Sequence, residues 1–374
     1  MKFDKATDWR RLSILVGIIL SVACWLWVYF PLLPTDLFFM DDLSILSRAG
    51  LFLPPTWKQI WGLFTPGFHV DYYPIRDLSH LFDNFVLDSK PFLMRLHSLV
   101  YFGGASWGLY RLLKRLTDDP WVVALAMILW LFHPLQIEFI SWISARKDLM
   151  ALCFMLLSLE VYLVSRLRAG SSQFYFRVLS LILFLLSLGS KATYLFVPLL
   201  LFFDRQLWWT PLDRSPEQRR FHFANQALAI FAIVFGLFWL WIQMQVYGGG
   251  SVLKLPYRAF LFPIHFAKNV LTILGDNDSN FYYDFWLHYR EKFENLWLPG
   301  VLFLLVFAFA NWRLLRTHRT WWIVLSGILV SALPTSGLGS HPVLWASRYV
   351  WIYLLGIVLA MGLFRRRSVI LTAI

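Results

Sequence analysis

Two adjacent carboxylates, Asp41 and Asp42, directly follow the first long apolar run of the chain. Neighbouring carboxylates near a membrane surface are costly unless they are solvated, protonated or paired. Two interpretations stay open: a solvated loop start or helix cap, and a general base or metal ligand at the lip of a cavity. A divalent metal ion at this pair is therefore an open alternative, and the pattern requires no other cofactor.

A second polar segment interrupts the apolar pattern between two further runs. It begins with His133 and Glu138 and ends with Arg146-Lys147-Asp148. The planar guanidinium of arginine suits bidentate recognition of phosphate, so the segment indicates an anion site. The alternative is an ion pair between Arg146 and Asp148 that anchors the start of a helix.

Lys191 and Arg348 are two more cations beside apolar runs. A lysine inside an otherwise continuous apolar stretch indicates a functional site, and the alternative is a lysine that extends to the membrane interface. Arg348, taken alone, is typical of a boundary anchor. His97 lies early in another apolar run and is more typical of a buried, hydrogen-bonded histidine than of a catalyst.

The composition says which class of protein must position these groups. Of 374 residues, 59% are hydrophobic and only 15% are charged. These proportions exclude a soluble enzyme, a disordered chain and a disulfide-built secreted module. Cys24 and Cys153 both lie in apolar runs and give neither a metal-binding spacing nor a disulfide framework. The prediction is an all-α polytopic membrane protein, with residues 1–374 forming a single transmembrane domain.

About ten apolar stretches are predicted to form transmembrane helices, which usually need about 20 residues each. Three of them are short and are expected to be tilted or broken helices: 120–133, 176–188 and 192–203. The other predicted spans are 12–31, 92–110, 148–165, 222–246, 297–312, 320–337 and 348–364.

The positive charges predict the orientation of these spans. Most of the 34 Lys and Arg fall in six short segments that lie on one side. By the positive-inside rule this side is cytoplasmic, with both termini on it. The net charge of +12 is therefore a topology signal and not a sign of nucleic-acid binding. The inner segments are 1–11, 111–119, 165–177, 204–220, 313–319 and 365–367.

Two large loops then lie on the outer side. The first covers 32–91 and is expected to carry short interfacial helices, and the second covers 247–296. Within the second, the apolar segment 258–275 is expected to lie in the interface or to dip in and return, and a full span is the alternative.

The acidic pair and the cations 146, 147, 191 and 348 all fall on the outer half of this arrangement. A carboxylate that faces cations suits group transfer from a phosphate-linked donor. The carboxylate takes a proton from an acceptor hydroxyl, and the cations stabilise the charge that develops on the departing phosphate.

The order of these motifs resembles the integral-membrane glycosyltransferases of the GT-C superfamily, and in particular the transmembrane and tetratricopeptide-repeat O-mannosyltransferases. Met40-Asp41-Asp42 is similar to that family's "WDD" after the first span. The segment from His133 to Glu138 with Arg146–Ala151 is similar to its "HPxHTEAVAxxxGRADLLA" stretch. Ser190-Lys191-Ala192 is similar to "SKE", and Ser347-Arg348-Tyr349 is similar to the start of "ERYLYLPS".

The resemblance implies a GT-C-like helix bundle with a catalytic acid at Asp41 or Asp42. It also implies donor-phosphate contacts from Arg146, Lys147, Lys191 and Arg348, with supporting roles for His133, Glu138, Asp148, Arg76 and His97. The chain departs from the family pattern at several positions, and no repeat domain follows the last span. The departures are Gln136 for a histidine, Ala192 and Ser347 for glutamates, and Tyr72-Tyr73-Pro74-Ile75 for "YRPL", with the arginine displaced to Arg76.

The expected activity is that of a membrane glycosyltransferase, a hexosyltransferase similar to mannosyltransferases. It would move a sugar from a polyprenyl-phosphate donor to a protein hydroxyl, lipid or glycan. The alternatives are a transporter or flippase of a lipid-linked or anionic substrate, and an inactive homologue that serves as a scaffold. Membrane lipid and the acceptor are the expected partners. The expected location is a bacterial inner membrane, with the active site facing the periplasm.

Overall fold

The computed structural model describes about two fifths of the chain, and the regular secondary structure of this part is entirely helical. Among the described residues there is no β-strand. The described residues are 23, 27, 29–33, 42, 56–66, 72–168, 170–194, 230–231, 233–238, 241–242, 354–355 and 358.

Seven α-helices and three short 3-10 turns have both ends within the described residues, and further described residues, such as 233–238, are also helical. The 3-10 turns are Phe30–Leu32, Ile143–Ala145 and Ala192–Tyr194. The α-helices are α1 (Trp57–Leu63), α2 (Pro74–Leu87), α3 (Pro91–Leu116), α4 (Pro120–Phe132), α5 (Gln136–Ser141), α6 (Arg146–Ser165) and α7 (Gly170–Ser190).

Proline sets the start of three of these helices. Pro74, Pro91 and Pro120 each occupy the first turn, where a missing N–H removes no helical hydrogen bond. The Asp119 side chain also accepts a hydrogen bond from the backbone N–H of Trp121 at 2.9 Å, which caps α4. These local signals explain why the connections before α3 and α4 are only a few residues long.

Helices α3 and α6 pack side by side and run in the same direction. Arg146 at the start of α6 contacts Ser98 of α3, and Glu160 near the end of α6 contacts Arg115 near the end of α3. Helix α7 returns antiparallel along α6, because Ser180 bonds to Ser158 and Ser187 to Ala151. The bundle therefore has two distinct ends, separated along α6 by about 21 Å, since 14 residues rise 1.5 Å each.

Small residues let α3 and α6 approach closely. A Cβ at Gly104 would lie 2.6 Å from the Cys153 sulfur, and a Cβ at Gly108 would lie 2.9 Å from the Leu156 Cβ. The two glycines are four residues apart and so share one face of α3. This small-xxx-small spacing is typical of helix pairs that pack within a membrane.

Two helical segments are long and apolar enough to cross a membrane: Ile143–Ser165 and Gly170–Ser190. They differ in position, because 78% of the apolar window is buried in the first and 22% in the second. Helix α6 is therefore the centre of the described bundle and α7 lies at its perimeter. Helix α4 is a shorter apolar helix of 13 residues.

Four of the predicted spans overlap the α-helices listed above, and for two of these four the bounds differ. That all of them cross a membrane stays a prediction. Spans 120–133 and 148–165 correspond to α4 and α6. The span predicted at 176–188 was wrong in length, because α7 begins at Gly170 and is 21 residues long. The polar residues at the start of α7 were predicted to belong to a loop, yet they form helical turns. Helix α3 likewise extends to Leu116, past the predicted end at 110.

The predicted first outer loop, 32–91, contains helices α1 and α2 among its described residues. Of the predicted span 192–203, only the 3-10 turn Ala192–Tyr194 is described, so its remainder lies outside the described residues. The second outer loop, 247–296, and the spans predicted from 297 to 337 also lie outside them.

Candidate functional site

Asp42 is bound to the start of the central helix. Its Oδ1 accepts hydrogen bonds from the Ser144 backbone N–H at 2.8 Å and from the Ser144 Oγ at 2.5 Å. Asp42 is 0% exposed, so it is not at a solvated loop start. Ser144 lies two residues before Arg146. The structure thus brings one of the predicted acids to the predicted cationic segment.

Arg146 is the centre of a polar network whose members are buried except for His97, which is 18% exposed. Its guanidinium pairs with Asp83 and donates to Ser98 Oγ at 2.9 Å and to Ser79 Oγ at 3.0 Å. It also donates to the Met94 carbonyl at 2.5 Å. The Arg146 network, as we call it, comprises Arg146, Asp83, Ser79, Ser98, His80 and His97.

Burial governs the electrostatics of this network. It lowers the pKa of His80 to about 3, although the Asp83 carboxylate 3.9 Å away opposes the shift, so His80 is neutral near pH 7. For Asp83, burial alone would raise the pKa. The neighbouring imidazoles of His80 and His97 and the charge of Arg146 outweigh burial and hold the pKa of Asp83 well below its usual range. The Arg146–Asp83 ion pair is therefore buried with the neutral imidazole of His80 beside it.

Lys191 and Asp148 form a second ion pair at the same end of the bundle. The Lys191 Nζ lies 2.5 Å from Asp148 Oδ1, and the side chains are 13% and 2% exposed. Asp148 therefore pairs with Lys191, and Arg146 pairs with Asp83; the alternative of an Arg146–Asp148 pair was wrong. The other carboxylate oxygen of Asp148 is buried without a hydrogen-bond partner among the described residues.

Two cations share the ring of Tyr73. The Arg76 guanidinium carbon lies 5.0 Å from the ring centroid, and the Lys147 Nζ lies 5.5 Å from it. Arg76 is 1% exposed and bonds Asp77 at 2.7 Å, whereas Lys147 is partly exposed. Lys147 precedes Asp148 in the first turn of α6. Three predicted cations, 76, 147 and 191, thus gather around the start of α6.

The remaining supporting residues are placed as follows. His133 ends α4, and its Nδ1 accepts from the backbone N–H of Leu135 at 3.2 Å. His97 Nδ1 lies 2.5 Å from Asp83 Oδ1, which agrees with the prediction of a hydrogen-bonded histidine. Glu138 lies on α5, and its side chain is outside the described part. Asp41 and Arg348 lie outside the described residues, so their roles stay predictions.

Helix α2 carries most of the residues that sequence reasoning missed. It buries a polar stripe with helical spacing: Arg76, Ser79, His80 and Asp83. Its opposite side exposes apolar residues, with Phe82 50% and Phe85 71% exposed. Polar residues at i, i+3, i+4 and i+7 within the loop were a readable signal of a helix with a polar inward face.

Arg95 and Ser144 were also missed. Arg95 is 0% exposed and donates to the Ser141 carbonyl at 2.8 Å and to the Leu33 carbonyl at 3.3 Å. It therefore joins α3 to the end of α5 and to Leu33, which follows the first apolar run. We call the end of the bundle that holds Asp42, Arg95, the Arg146 network and Lys191 the sealed end.

A third ionic cluster lies at the opposite, open end of the bundle. Glu160 accepts from Arg115 at 2.7 and 2.8 Å and from Arg111 at 3.1 Å. The Arg111 and Arg115 side chains are 43% and 24% exposed. Glu160 thus contacts two arginines of the predicted inner segment 111–119.

Within the part of the chain that the structure describes, no group of three His, Cys, Asp or Glu side chains is arranged to hold a metal ion. Asp42 can supply one carboxylate to a metal ion, and a metal ion at the Asp41–Asp42 pair stays a prediction.

Comparison with known proteins gives no assignment. No family model, no curated protein and no solved structure matches the chain. The functional interpretation therefore depends on the geometry of the sealed end and on the sequence motifs.

Proposed function

We propose that the chain is a membrane glycosyltransferase that moves a hexose from a polyprenyl-phosphate donor to an acceptor hydroxyl. One observation carries the proposal most: Asp42, Lys147 and Lys191 converge on the start of one helix, although they lie far apart in sequence. A carboxylate beside several cations is the arrangement that acceptor activation and phosphate departure both need.

The surface of the described helices supports a membrane location. Large apolar side chains on α2, α3, α4 and α7 are exposed, which is typical of a lipid-facing perimeter. The two ionic ends lie about 21 Å apart along α6, within the thickness of a bilayer. The exposed residues include Phe85, Val100, Trp107, Trp121, Leu125, Phe174 and Tyr175.

The proposed topology has about ten spans in a GT-C-like bundle, with both termini in the cytoplasm. The sealed end then faces the periplasm of a bacterial inner membrane, and the open end faces the cytoplasm. The basic residues at the open end, such as Arg111 and Arg115, agree with the positive-inside rule.

In the proposed reaction, a carboxylate of the Asp41–Asp42 pair accepts the proton of the acceptor hydroxyl. The hydroxyl oxygen forms a bond to the anomeric carbon of the sugar, and the bond from that carbon to the phosphate oxygen breaks. The departing polyprenyl phosphate keeps the electron pair, and nearby cations stabilise its charge. The products are the glycosylated acceptor and the polyprenyl phosphate.

Lys147 and Lys191 are the described cations best suited to contact the phosphate. Lys147 is partly exposed, and Lys191 retains 13% exposure beside Asp148. The N–H donors of the Arg146 guanidinium are engaged by Asp83, Ser79, Ser98 and the Met94 carbonyl. We therefore assign Arg146 a scaffolding role and give direct contact with the phosphate to the two lysines.

The test measures sugar transfer by the full chain in lipid nanodiscs. Tritium-labelled polyprenyl-phosphate mannose, glucose and galactose are each incubated with the protein and with a cell-envelope extract as acceptor source. We expect labelled product from at least one donor, and loss of product in Asp41→Asn or Asp42→Asn. Because Lys147 would contact the donor phosphate, Lys147→Ala should raise the donor KM.

Asp88→Asn is the matched control, because Asp88 lies in the same predicted loop and its side chain is 78% exposed. It should retain wild-type transfer. Full transfer in both Asp41→Asn and Asp42→Asn would reject the role of the acidic pair. Movement of the labelled lipid across a vesicle membrane without any covalent product would instead favour a flippase.

A further inference from the structure

Ser144 has no role in the sequence interpretation, yet it makes the described contact between Asp42 and the central helix. The two residues are 102 positions apart, and two donors of Ser144 bind one carboxylate oxygen at 2.8 and 2.5 Å. Both residues are buried, at 2% and 0% exposure. Water therefore does not compete for these bonds, and their geometry fixes the carboxylate.

The position of Ser144 strengthens this contact. It lies in the 3-10 turn Ile143–Ala145, which continues directly into α6. The first N–H groups of a helix have no partner within the helix and attract a negative charge. Neither Trp142 nor Ala145 caps this start with a side-chain hydrogen bond. Asp42 supplies the missing acceptor from a distant segment.

The turn that carries Ser144 is itself held in place. Two residues later, Arg146 is bound by Asp83 of α2 and by Ser98 and the Met94 carbonyl of α3. A carboxylate that is bound to Ser144 is therefore fixed relative to α2, α3 and α6 together. Lys147, the next residue of α6, lies beside Tyr73 at the same end.

We propose that Ser144 is a positioning residue that holds the Asp42 carboxylate at the start of α6, the helix whose first turn carries Lys147. This inference rests on the proposed function, because it gives a catalytic purpose to the contact. Ser144 acts through Asp42 and does not touch the substrate. Its hydroxyl contributes one of the two bonds that fix the carboxylate.

The experiment compares Ser144→Ala, Ser144→Thr and Ser158→Ala in nanodiscs, with the labelled polyprenyl-phosphate hexose as probe. Ser158 is the matched control, since it is a buried, hydrogen-bonded serine of α6, the helix that follows the Ser144 turn, and it faces Ser180 of α7. We expect Ser144→Ala to lower kcat by about tenfold or more, as one charged hydrogen bond is lost. The donor KM should stay within about twofold, because the lysines are unchanged.

Two further readouts separate positioning from a purely structural role. The acidic limb of the pH–rate profile should move to higher pH in Ser144→Ala, because the charged carboxylate loses a donor. Ser144→Thr retains the hydroxyl and should restore most of kcat and the wild-type profile. In a double-mutant cycle, Ser144→Ala should add little to the loss caused by Asp42→Asn.

The outcomes distinguish this inference from the proposed function. If Asp42→Asn abolishes transfer while Ser144→Ala keeps wild-type kcat and pH profile, the inference is overturned and the function stands. If Ser144→Ala lowers kcat only in proportion to folded protein, and threonine does not rescue it, Ser144 is merely a helix cap and the inference again fails. Wild-type protein that transfers no sugar would overturn the function, and the inference with it.

Discussion

The sealed end and the open end of the bundle use the same two helices, α3 and α6, but treat charge differently. At the sealed end the Asp83 and Arg146 side chains are both 0% exposed. At the open end Glu160 is 9% exposed, while its partner Arg111 is 43% exposed. A buried charge must have its hydrogen bonds supplied by the protein, whereas an exposed arginine completes its shell with water or headgroups.

This difference predicts at which end of the bundle substitutions will destabilise the fold most. The polar partners at the sealed end come from α2, α3 and α6, so each of them depends on the others. The cluster at the open end involves α3 and α6 and keeps access to solvent. Specialised chemistry is expected at the end where several elements fix charged groups in one arrangement.

Neutralising one partner at the sealed end should have the largest effect. Asp83→Asn leaves the Arg146 charge buried without a counter-ion, so the free energy of unfolding should fall by about 3–5 kcal/mol. Thermal unfolding in nanodiscs, followed by intrinsic tryptophan fluorescence, measures the change. Asp88→Asn, in the exposed turn after α2, is the control and should leave the melting temperature unchanged. If the melting temperature of Asp83→Asn equals that of wild type, the buried Asp83–Arg146 ion pair does not contribute to stability as proposed.

Acid should weaken the sealed end through His80. The pKa of His80 is lowered to about 3 in the folded protein from an ordinary 6.5. Its contribution to the free energy of unfolding is therefore full above pH 6.5 and is lost as pH falls towards 3. The expected loss is at most about 1.4 kcal/mol for each pH unit. Asp83, whose pKa is also lowered, adds a similar loss only below its ordinary value of 3.8.

The measurement is the unfolding free energy of wild type and His80→Gln between pH 7.5 and 4.5. Glutamine retains polar atoms but does not titrate, so the variant should show a flatter dependence over this range. His80 faces Asp83, Arg146 and Arg76, and none of these groups has an ordinary pKa within it. The same slope in both proteins would remove His80 as the source.

The smallest effect is expected at the open end. Glu160→Gln leaves Arg111 and Arg115 partly exposed, so the loss of stability should be about 1 kcal/mol or less. It should shrink further as salt is raised from 0.05 to 0.5 M, because the screening length shortens. Melting curves at the two salt concentrations give the answer. A loss as large as that of Asp83→Asn would erase the contrast between the two ends.

Local signals in the sequence predicted the bounds of a helix well where residues at both of its ends mark them. Pro120 and the polar residue His133 bracket α4, and the prediction of 120–133 agrees with Pro120–Phe132. The start of α7 was wrong because Ser171, Ser172 and Gln173 are polar yet helical. Polarity marks where a helix leaves an apolar environment, and the helix itself continues until the backbone turns.

The charged residues of the candidate site could be predicted from the sequence, but the residues with which they pair could not. Charged residues in an apolar chain stand out, so Asp42, Arg146 and Lys191 were found from the sequence. Their partners are distant in sequence, because Asp83 lies 63 residues before Arg146 and Ser144 lies 102 residues after Asp42. Spacing along the chain carries no information about such pairs. The polar stripe of α2 was the one overlooked local signal.

The order of Asp83 and Arg146 along the chain has a consequence for biogenesis. Asp83 leaves the ribosome 63 residues ahead of Arg146, which is about 3–13 seconds at ordinary translation rates. The counter-ion is thus synthesised before the arginine with which it pairs. A rearranged gene that encodes residues 72–116 after residue 165 would reverse that order, so that the arginine is synthesised first.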